Sequence, residues 1–222
     1  MKNVLIIGGS SGLGLELAKI YSNDHKVIIT GREKKESIEY DFVSFDMDKY
    51  ESTEGYLESF LDQLPKIDIL IYALGYYQKG VITDISDDDI KMITDSGITV
   101  PSLIVKKILI KQGVLDTFIA ITSTSAWTPR LLEPLYATSK AGLTMLAASL
   151  SLDDRIDKVM VAGPAGMKTP FWKNNPEVDT SEMLESHWVA ENIFREVHED
   201  FKYKYIQLLR KPERVVLVEK RQ

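Results

Sequence analysis

Tyr136 and Lys140 form a pair of side chains whose types and spacing suit proton transfer. They lie four residues apart in a helical pattern at 134–150, so their side chains share one helix face. A tyrosine with an ordinary pKa of about 10 is a poor acid–base catalyst at neutral pH. A nearby ammonium lowers that pKa toward the working range. The spacing therefore predicts a tyrosine acid/base tuned by a lysine, although an isolated pair of this kind usually lies on a protein surface.

Ser123 is a third candidate, because it follows a buried strand pattern at 115–122. A hydroxyl at a strand end can donate a hydrogen bond to a carbonyl oxygen as negative charge develops there. Ser123, Tyr136 and Lys140 are therefore the candidate catalytic residues, and general acid–base chemistry on a carbonyl oxygen is what they could perform.

The segment 8–14 is a glycine-rich turn between a short apolar run at 4–7 and a helical pattern. Glycines let the backbone turn tightly and approach a pyrophosphate at a helix N-terminus. The spacing of Gly8, Gly12 and Gly14 differs from G-x-G-x-x-G, and the lysine of a P-loop is missing. The turn predicts a phosphate site, with a purely structural packing role as the alternative.

These residues need a scaffold, and strand and helix patterns alternate along the whole chain. Apolar runs predict strands at 4–7, 26–30, 42–45, 68–72, 115–122 and 159–162. Helical spacing predicts helices at 13–21, 52–64, from the polar stretch 83–89 to 112, 134–150 and 181–198, with a loop at 171–180. Strand-like pieces at 204–208 and 214–218 leave open whether both are strands. The alternation predicts a single α/β domain over 1–222, its mostly parallel sheet covered by helices on both faces and its ligands at the strands' carboxyl ends.

The motifs, and their order along the chain, resemble those of the short-chain dehydrogenase/reductase family. Segment 7–14 resembles T-G-x-x-x-G-x-G with Ile7 in place of threonine, and 136–140 matches Y-x-x-x-K with Ser123 upstream. Segment 72–75 stands in place of N-N-A-G and keeps the final glycine, and 163–170 resembles P-G-x-x-x-T-P with Ala165 at the glycine position. The resemblance covers 2–170 closely and the remainder loosely. It implies a Rossmann-like, doubly wound domain.

The resemblance also implies a role for each matching residue. Tyr136 would be the acid/base, Ser123 would orient and stabilise the substrate, and Lys140 would also hold the nicotinamide ribose. Thr169 and the backbone around Pro164 would hold the nicotinamide carboxamide, and Asp46 with Met47 would contact the adenine. The implied cofactor-binding residues are Gly8, Ser10, Ser11, Gly12, Leu13, Gly14, Arg32, Asp46, Met47, Ala73, Gly75, Tyr136, Lys140, Pro164 and Thr169. No metal site is expected.

The end of the second predicted strand indicates which dinucleotide is preferred. An NAD site of this type places an acidic residue there for the ribose 2′-hydroxyl, whereas a 2′-phosphate needs a cation. This chain has Gly31 followed by Arg32. The prediction is NADP(H) in preference to NAD(H), although Glu33 beside Arg32 has the opposite charge.

The expected function is an NADP(H)-dependent oxidoreductase that transfers hydride between the nicotinamide and a carbonyl or alcohol substrate. Most family members carry a relay asparagine where this chain has Gly97, or Ser96 if the alignment shifts by one. That departure keeps an alternative open, a non-catalytic NADP(H)-binding sensor or interaction protein. An epimerase or dehydratase is a third hypothesis, although those chains usually have a larger C-terminal portion.

A segment at about 170–200 is expected to cover the substrate. The residues predicted around the pocket are Phe171, Trp172, Met183, Leu184 and Trp188, together with Trp127 and Leu131. Their aromatic rings favour an apolar or ring-bearing carbonyl compound, with packing of the covering segment as the alternative.

Composition limits the remaining classes. The chain has 222 residues, a formal charge of −6, no cysteine and three widely separated histidines. The acidic balance disfavours nucleic-acid and membrane partners, and the expectation is a cytoplasmic protein with a small-molecule substrate. The resemblance implies a homodimer or homotetramer that pairs the helix at 134–150 with the one before it. The apolar residues proposed for this pairing are Ala141, Leu143, Leu146, Ala147 and Leu150.

Overall fold

The strands appear in nearly the predicted order. The computed structural model describes residues 1–34, 36, 38–52, 55–173 and 175–222. Its strands are β1 (Asn3–Ile7), β2 (Lys26–Gly31), β3 (Asp41–Ser44), β4 (Ile69–Tyr72), β5 (Leu115–Ile121), β6 (Ile156–Pro164), β7 (Met167–Lys168), β8 (Leu184–Glu185), β9 (Tyr203–Leu209) and β10 (Arg214–Arg221). Both strand-like pieces of the C-terminal region are therefore strands.

Helices occupy the connections between the strands. They are α1 (Gly12–Tyr21), α2 (Met47–Ser52), α3 (Tyr56–Asp62), α4 (Asp87–Thr94), α5 (Val100–Gln112), α6 (Pro134–Leu150) and α7 (Ser186–Val197). Short 3-10 turns lie at Ile82–Asp84, Thr124–Ala126 and Pro170–Trp172, and a π-helical turn at Asp95–Thr99 joins α4 to α5.

Within the described residues, eight strands form one sheet in the order β10-β9-β6-β5-β4-β1-β2-β3. All neighbouring pairs are parallel except β9 and β10, which pair antiparallel at the edge. The strand order reverses between β1 and β4, and the connections there diverge to opposite faces. Such a point leaves a crevice outside the carboxyl ends of the strands.

Helices cover both faces of this sheet. Residues 4–7 of β1 are all buried, as expected where both faces of a parallel sheet are packed. One core lies between the sheet and α3, α5 and α6, and the other lies between the sheet and α1 and α7. The predicted α/β class, with a mostly parallel sheet and helices on both faces, is confirmed.

The predicted helix from 83–89 to 112 contains an irregular turn. Pro101 has no N–H, so it cannot make the α-helical bond to the Gly97 carbonyl. The Val100 N–H donates instead to the Asp95 carbonyl, five residues earlier. The missing donor at Pro101 therefore accounts for the π-helical turn.

Three predicted elements differ in extent. The predicted helix at 52–64 is shortened to α3, which begins after Gly55 at φ +73°, and α2 lies before it; residues 53 and 54 lie outside the described residues. The predicted helix at 181–198 begins only at Ser186. Residue 174 of the predicted loop at 171–180 also lies outside the described residues. One domain over 1–222, with a covering segment at about 170–200, stays a prediction.

The side of α6 proposed for assembly is partly occupied by the chain's own core. Leu143 and Ala147 are fully buried against the sheet, so they are not available to another subunit. Ala141, Leu146 and Leu150 are only partly buried, and Met145 is 66% exposed. The exposed apolar surface of α6 is therefore narrower than the sequence pattern indicated.

Candidate active site

A cleft of about 750 Å³ runs along the carboxyl ends of the parallel strands. Its wall includes residues that follow β1, β2, β4, β5 and β6, and it lies where the strand order reverses. Every residue predicted for catalysis or cofactor binding lines this one cleft. Sequence segments more than a hundred residues apart are thereby brought to a common surface.

The glycine turn forms one end of the cleft, and its glycines are required by close contacts. Gly8 has φ +84°, and a Cβ there would lie 2.9 Å from the Leu74 amide nitrogen. A Cβ on Gly14 would lie 2.3 Å from the Gly8 carbonyl oxygen. Side chains at either position would push the strand end away from the helix start, so the turn depends on these glycines.

The N-terminus of α1 points its first amides toward this cleft. The first turn carries no acidic side chain, and within the described residues the Ser11 side chain makes no capping hydrogen bond. Free amide donors and the helix dipole together favour an anion. A phosphate group fits this position.

The end of β2 lies beside the same turn. A Cβ on Gly31 would lie 2.4 Å from the Ser10 hydroxyl oxygen, so a side chain at residue 31 does not fit there. Arg32 follows it, exposed on the cleft wall. Asp46 and Met47 line the cleft after β3, where the Asp46 amide donates to the Tyr56 hydroxyl over 2.9 Å.

The predicted catalytic residues meet near the middle of the cleft. Ser123 leaves the end of β5, and its Oγ accepts a hydrogen bond from the Ser125 amide at 3.1 Å. Ser123 lies close enough to Tyr136, in the first turn of α6, to lower the pKa of that phenol. Two hydroxyls therefore face the same point of the cleft, where a carbonyl oxygen can accept from both.

Lys140 lies one turn further along α6, as the spacing predicts. Its Nζ is buried, donates to the Ile121 carbonyl at 3.3 Å, and lies 5.7 Å from the centre of the Tyr136 ring. Burial lowers the pKa of Lys140 to about 8. A Cβ on Gly75 would lie 3.4 Å from this Nζ, so the final glycine of segment 72–75 leaves room for the lysine.

The pKa of Tyr136 differs from the expectation. Burial raises it to about 12, and the hydrogen bond from Ser123 only partly opposes this effect. Among nearby charges, Glu133 raises the pKa and Arg130 lowers it. Burial is therefore the largest influence on this pKa, and the Tyr136 phenol is protonated at neutral pH.

The other predicted cofactor residues lie between these groups. Ala73 donates its amide to the Ile7 carbonyl at 2.9 Å, which holds the end of β4 against the glycine turn. Pro164 ends β6, and a Cβ on Gly12 would lie 3.2 Å from the Thr169 Cβ. Thr169 therefore packs against the start of α1.

Only part of the predicted substrate cover lines the cleft. Phe171, Trp172 and Met183 do so. Trp127 instead packs over Gly163, where a Cβ would lie 2.9 Å from its ring. The other three predicted residues are placed elsewhere: Leu184 is fully buried in the core, Trp188 packs against that core and Leu131 is 79% exposed.

Sequence reasoning missed a group of four cleft residues that contact one another, namely Tyr77, Ser125, Arg130 and Glu133. They form a hydrogen-bonded cluster beside Tyr136. Tyr77 follows β4 and the other three lie in the connection between β5 and α6, and no fixed spacing joins the two segments. The one available signal was the position of Glu133, three residues before Tyr136.

The relay position is also clarified by the structure. Ser96 lines the cleft, whereas Gly97 faces α6, where a Cβ would lie 2.6 Å from the Ser139 Cβ. Ser96 is therefore the residue of this turn that lines the cleft, and the one-residue shift in alignment stays a prediction.

The sheet order, the glycine turn and the cleft at the switch point define the Rossmann-like class of α/β proteins. A family model described as short chain dehydrogenase matches residues 2–179. The chain belongs to this family, whose members are oxidoreductases that use NAD(P)H and act on small molecules.

Individual relatives agree with this assignment. The chain is 27% identical over 167 residues to 3-oxoacyl-[acyl-carrier-protein] reductase FabG of Chlamydia pneumoniae, in a match that covers 68% of this chain and 66% of the relative. That match spans slightly less than two thirds of the relative's own length. A short chain dehydrogenase family protein from Francisella tularensis superposes with a TM-score of 0.76 at 20% identity, covering 94% of this chain and 97% of that chain. A short-chain dehydrogenase from Sphingobium yanoikuyae in complex with NADPH gives 0.74 at 19% identity, covering 88% and 84%.

The described residues also bear on membrane spanning and metal binding. None of the helices there combines the length and apolar character needed to span a bilayer. The same residues contain no group of three or more histidine or carboxylate side chains placed to hold a metal ion.

Proposed function

We propose that this protein is an NADP(H)-dependent oxidoreductase that interconverts a carbonyl compound and its alcohol. The observation that carries the proposal is the meeting of Ser123 and Tyr136, beside buried Lys140, in the cleft that the glycine turn closes. A protein that only bound a dinucleotide would have no use for two hydroxyls converging on one point.

The residues present fit a dinucleotide. The crowding at Gly8 and Gly14 leaves a side-chain-free cradle in front of α1. In the proposal, the amides of Ser10, Ser11, Gly12, Leu13 and Gly14 hold the pyrophosphate. Asp46, Met47 and Ala73 hold the adenosine, and Gly75, Lys140, Pro164 and Thr169 hold the nicotinamide ribose and carboxamide. When bound, the dinucleotide supplies or accepts the hydride.

The preference for NADP(H) is supported by the end of β2. An acidic side chain at residue 31 would collide with Ser10, so the usual acceptor for a ribose 2′-hydroxyl does not fit there. The exposed guanidinium of Arg32 lies next to this position and suits a 2′-phosphate through charge-assisted hydrogen bonds.

The protonation states favour carbonyl reduction at neutral pH. Tyr136, whose pKa is raised to about 12, is protonated and able to donate its phenolic proton to the carbonyl oxygen. Ser123 donates a second hydrogen bond as charge develops on that oxygen. The Lys140 ammonium, 5.7 Å from the Tyr136 ring, stabilises the phenolate that remains.

A cytoplasmic location and assembly as a homodimer or homotetramer belong to the same proposal. The acidic composition suits the location. Exposed Met145 and partly buried Leu146 on α6 leave an apolar strip for a second copy of the chain.

The test is a fluorescence titration with NADPH and with NADH, followed by turnover of a panel of ketones and aldehydes. We expect tighter binding of NADPH, and we expect Tyr136→Phe to retain NADPH binding, through the remaining cofactor residues, while turnover falls by about 10²–10⁴-fold. Tyr205→Phe is the matched control, because Tyr205 packs against Trp127 outside the cleft. Binding of NADPH without turnover of any carbonyl would instead support the non-catalytic sensor or interaction protein.

A further inference from the structure

A polar cluster beside the proposed catalytic residues has no part in the proton transfer described above. Glu133 lies at its centre and accepts hydrogen bonds from the Tyr77 hydroxyl at 3.3 Å and the Ser125 hydroxyl at 3.0 Å. The Arg130 Nε donates to Ser125 at 3.2 Å and lies 3.4 Å from the Glu133 carboxylate. All four side chains line the cleft.

The cluster is close to the reacting centre. Glu133 is three residues before Tyr136, and the charges of Glu133 and Arg130 act in opposite directions on the pKa of Tyr136. The Glu133 side chain is only 21% exposed, whereas Arg130 is 43% exposed and can reach a molecule in the cleft. A carboxylate and a guanidinium are thus fixed next to the proposed acid/base.

Bracing of the neighbouring loop does not account for the cluster. The loop after β4 is already held by a hydrogen bond from the Tyr76 hydroxyl to Asp89 at 2.5 Å. The Gly80 amide donates to the Leu132 carbonyl at 2.9 Å, and Lys79 pairs with Glu177 at 3.0 Å. The loop therefore has anchors that leave Glu133 out.

Aromatic rings form the adjoining wall. Tyr77 contacts Tyr136, Phe171 and Trp172, with ring centres 5.3, 5.8 and 5.1 Å apart. The Trp172 indole is held by its hydrogen bond to the Met167 carbonyl at 2.9 Å. This wall offers an apolar surface of fixed shape for a carbon skeleton.

The charges of the cluster restrict what can bind beside Tyr136. A carboxylate only accepts hydrogen bonds and a guanidinium only donates them. Because the two opposite charges lie 3.4 Å apart, the pair has no net charge and selects neither an anionic nor a cationic group. A hydroxyl group satisfies both, since it donates to the carboxylate and accepts from the guanidinium.

We propose, on the basis of the proposed function, that the substrate is a neutral carbonyl compound with a hydroxyl group next to the reacting carbon. Glu133 and Arg130 bind that hydroxyl, and the rings of Tyr77, Phe171 and Trp172 pack against the carbon skeleton. The aromatic residues alone predicted an apolar substrate. The polar cluster changes the predicted substrate to one that carries a hydroxyl group.

The test compares NADPH oxidation with 2-hydroxycyclohexanone and with cyclohexanone, which differ by one hydroxyl. A site built to bind a hydroxyl rejects the analogue that lacks it, so we expect wild-type kcat/KM to favour the hydroxyketone by at least about tenfold. Glu133→Ala should bring this ratio close to one, and Glu133→Gln should keep part of it. Glu58→Ala, an exposed change remote from the cleft, should leave the ratio unchanged.

The ratio separates recognition from general damage, because a disturbed fold lowers turnover of both ketones alike. A titration of tryptophan fluorescence provides a second readout if the variants fold poorly. We expect trans-1,2-cyclohexanediol to change the wild-type signal at lower concentration than cyclohexanol, with the response lost in Trp172→Phe.

The outcomes distinguish this inference from the proposed function. Equal turnover of the two ketones, or a hydroxyketone preference that survives in Glu133→Ala, overturns the substrate class and leaves the reductase standing. If the protein binds NADPH but reduces no carbonyl compound, the proposed function is overturned, and the inference about the substrate is overturned with it.

Discussion

The Tyr72 hydroxyl donates a 2.5 Å hydrogen bond to the Ser96 carbonyl, deep in the core beneath the cleft. This carbonyl has lost both of its possible helical donors. The Val100 amide, four residues on, bonds to Asp95 instead, and the next residue, Pro101, has no N–H. Tyr72 therefore satisfies a buried acceptor that the π-helical turn leaves open, and burial keeps the Tyr72 hydroxyl protonated by raising its pKa.

The first prediction concerns this bond. Tyr72→Phe removes the donor and leaves the Ser96 carbonyl unsatisfied, so we expect the free energy of unfolding to fall by about 1–3 kcal/mol. Urea denaturation measures the loss. Tyr21→Phe is the matched control, because the Tyr21 hydroxyl is buried without a hydrogen-bond partner among the described residues. A cost in Tyr21→Phe equal to that in Tyr72→Phe would contradict the assignment.

The second prediction concerns the packing of the π-helical turn on α6. A Cβ on Gly97 would lie 2.6 Å from the Ser139 Cβ, so Gly97→Ala should overpack this contact and cost about 1–3 kcal/mol of stability. Adding Ser139→Gly should recover part of the loss, since it removes the opposing atom. Urea denaturation of the two single variants and the double variant gives the coupling. Strict additivity would show that the two residues do not oppose each other.

The same contact explains what sequence could and could not show at the relay position. Motif spacing located Ser123, Tyr136, Lys140 and the glycine turn, because these residues lie at fixed positions on regular elements. It could not decide between Ser96 and Gly97, because the π-helical turn shifts the register of the helix. Packing against α6 shows that Ser96 lines the cleft and Gly97 does not.

Other departures were hidden because they arise from contacts between distant segments. The cluster around Glu133 joins two loops, and each member looks like an ordinary polar loop residue in the sequence. Trp127 was predicted to lie at the substrate pocket. Its ring packs instead over Gly163 of β6, where the missing side chain leaves room for it. Local pattern shows which strand a residue follows, whereas the direction of its side chain depends on the neighbouring strands.

The third prediction concerns dinucleotide preference. Arg32→Ala removes the exposed cation next to the end of β2. Because a charge-assisted hydrogen bond contributes about 1.5–3 kcal/mol, NADPH binding should weaken by about tenfold to a hundredfold, with little change for NADH. Fluorescence titration measures both affinities. Arg214→Ala, an exposed change in β10, should alter neither, and equal losses for the two nucleotides in Arg32→Ala would remove Arg32 from the proposed 2′-phosphate site.

The fourth prediction follows from the burial of Lys140. Burial lowers the pKa of this lysine from 10.5 to about 8, and it makes no ion pair with a carboxylate in the described part of the chain. At pH 7 the folded protein therefore holds a charged, desolvated ammonium, which costs stability. Lys140→Met should raise the free energy of unfolding of the nucleotide-free protein by about 1–3 kcal/mol at pH 7, while abolishing the proposed turnover.

The pH dependence of this gain distinguishes a charge effect from a packing effect. Between pH 8 and 10.5 the unfolded chain still holds the lysine proton that the folded chain has released. The unfolded state then binds more protons, so wild-type stability rises with pH relative to Lys140→Met, and the advantage of the variant should shrink between pH 7 and pH 9.5. Urea denaturation at both pH values measures this difference, with the exposed change Lys106→Met as the control expected to show no such trend. An advantage of Lys140→Met that is the same at both pH values would mean that methionine packs better there, and that the buried charge is not the cause.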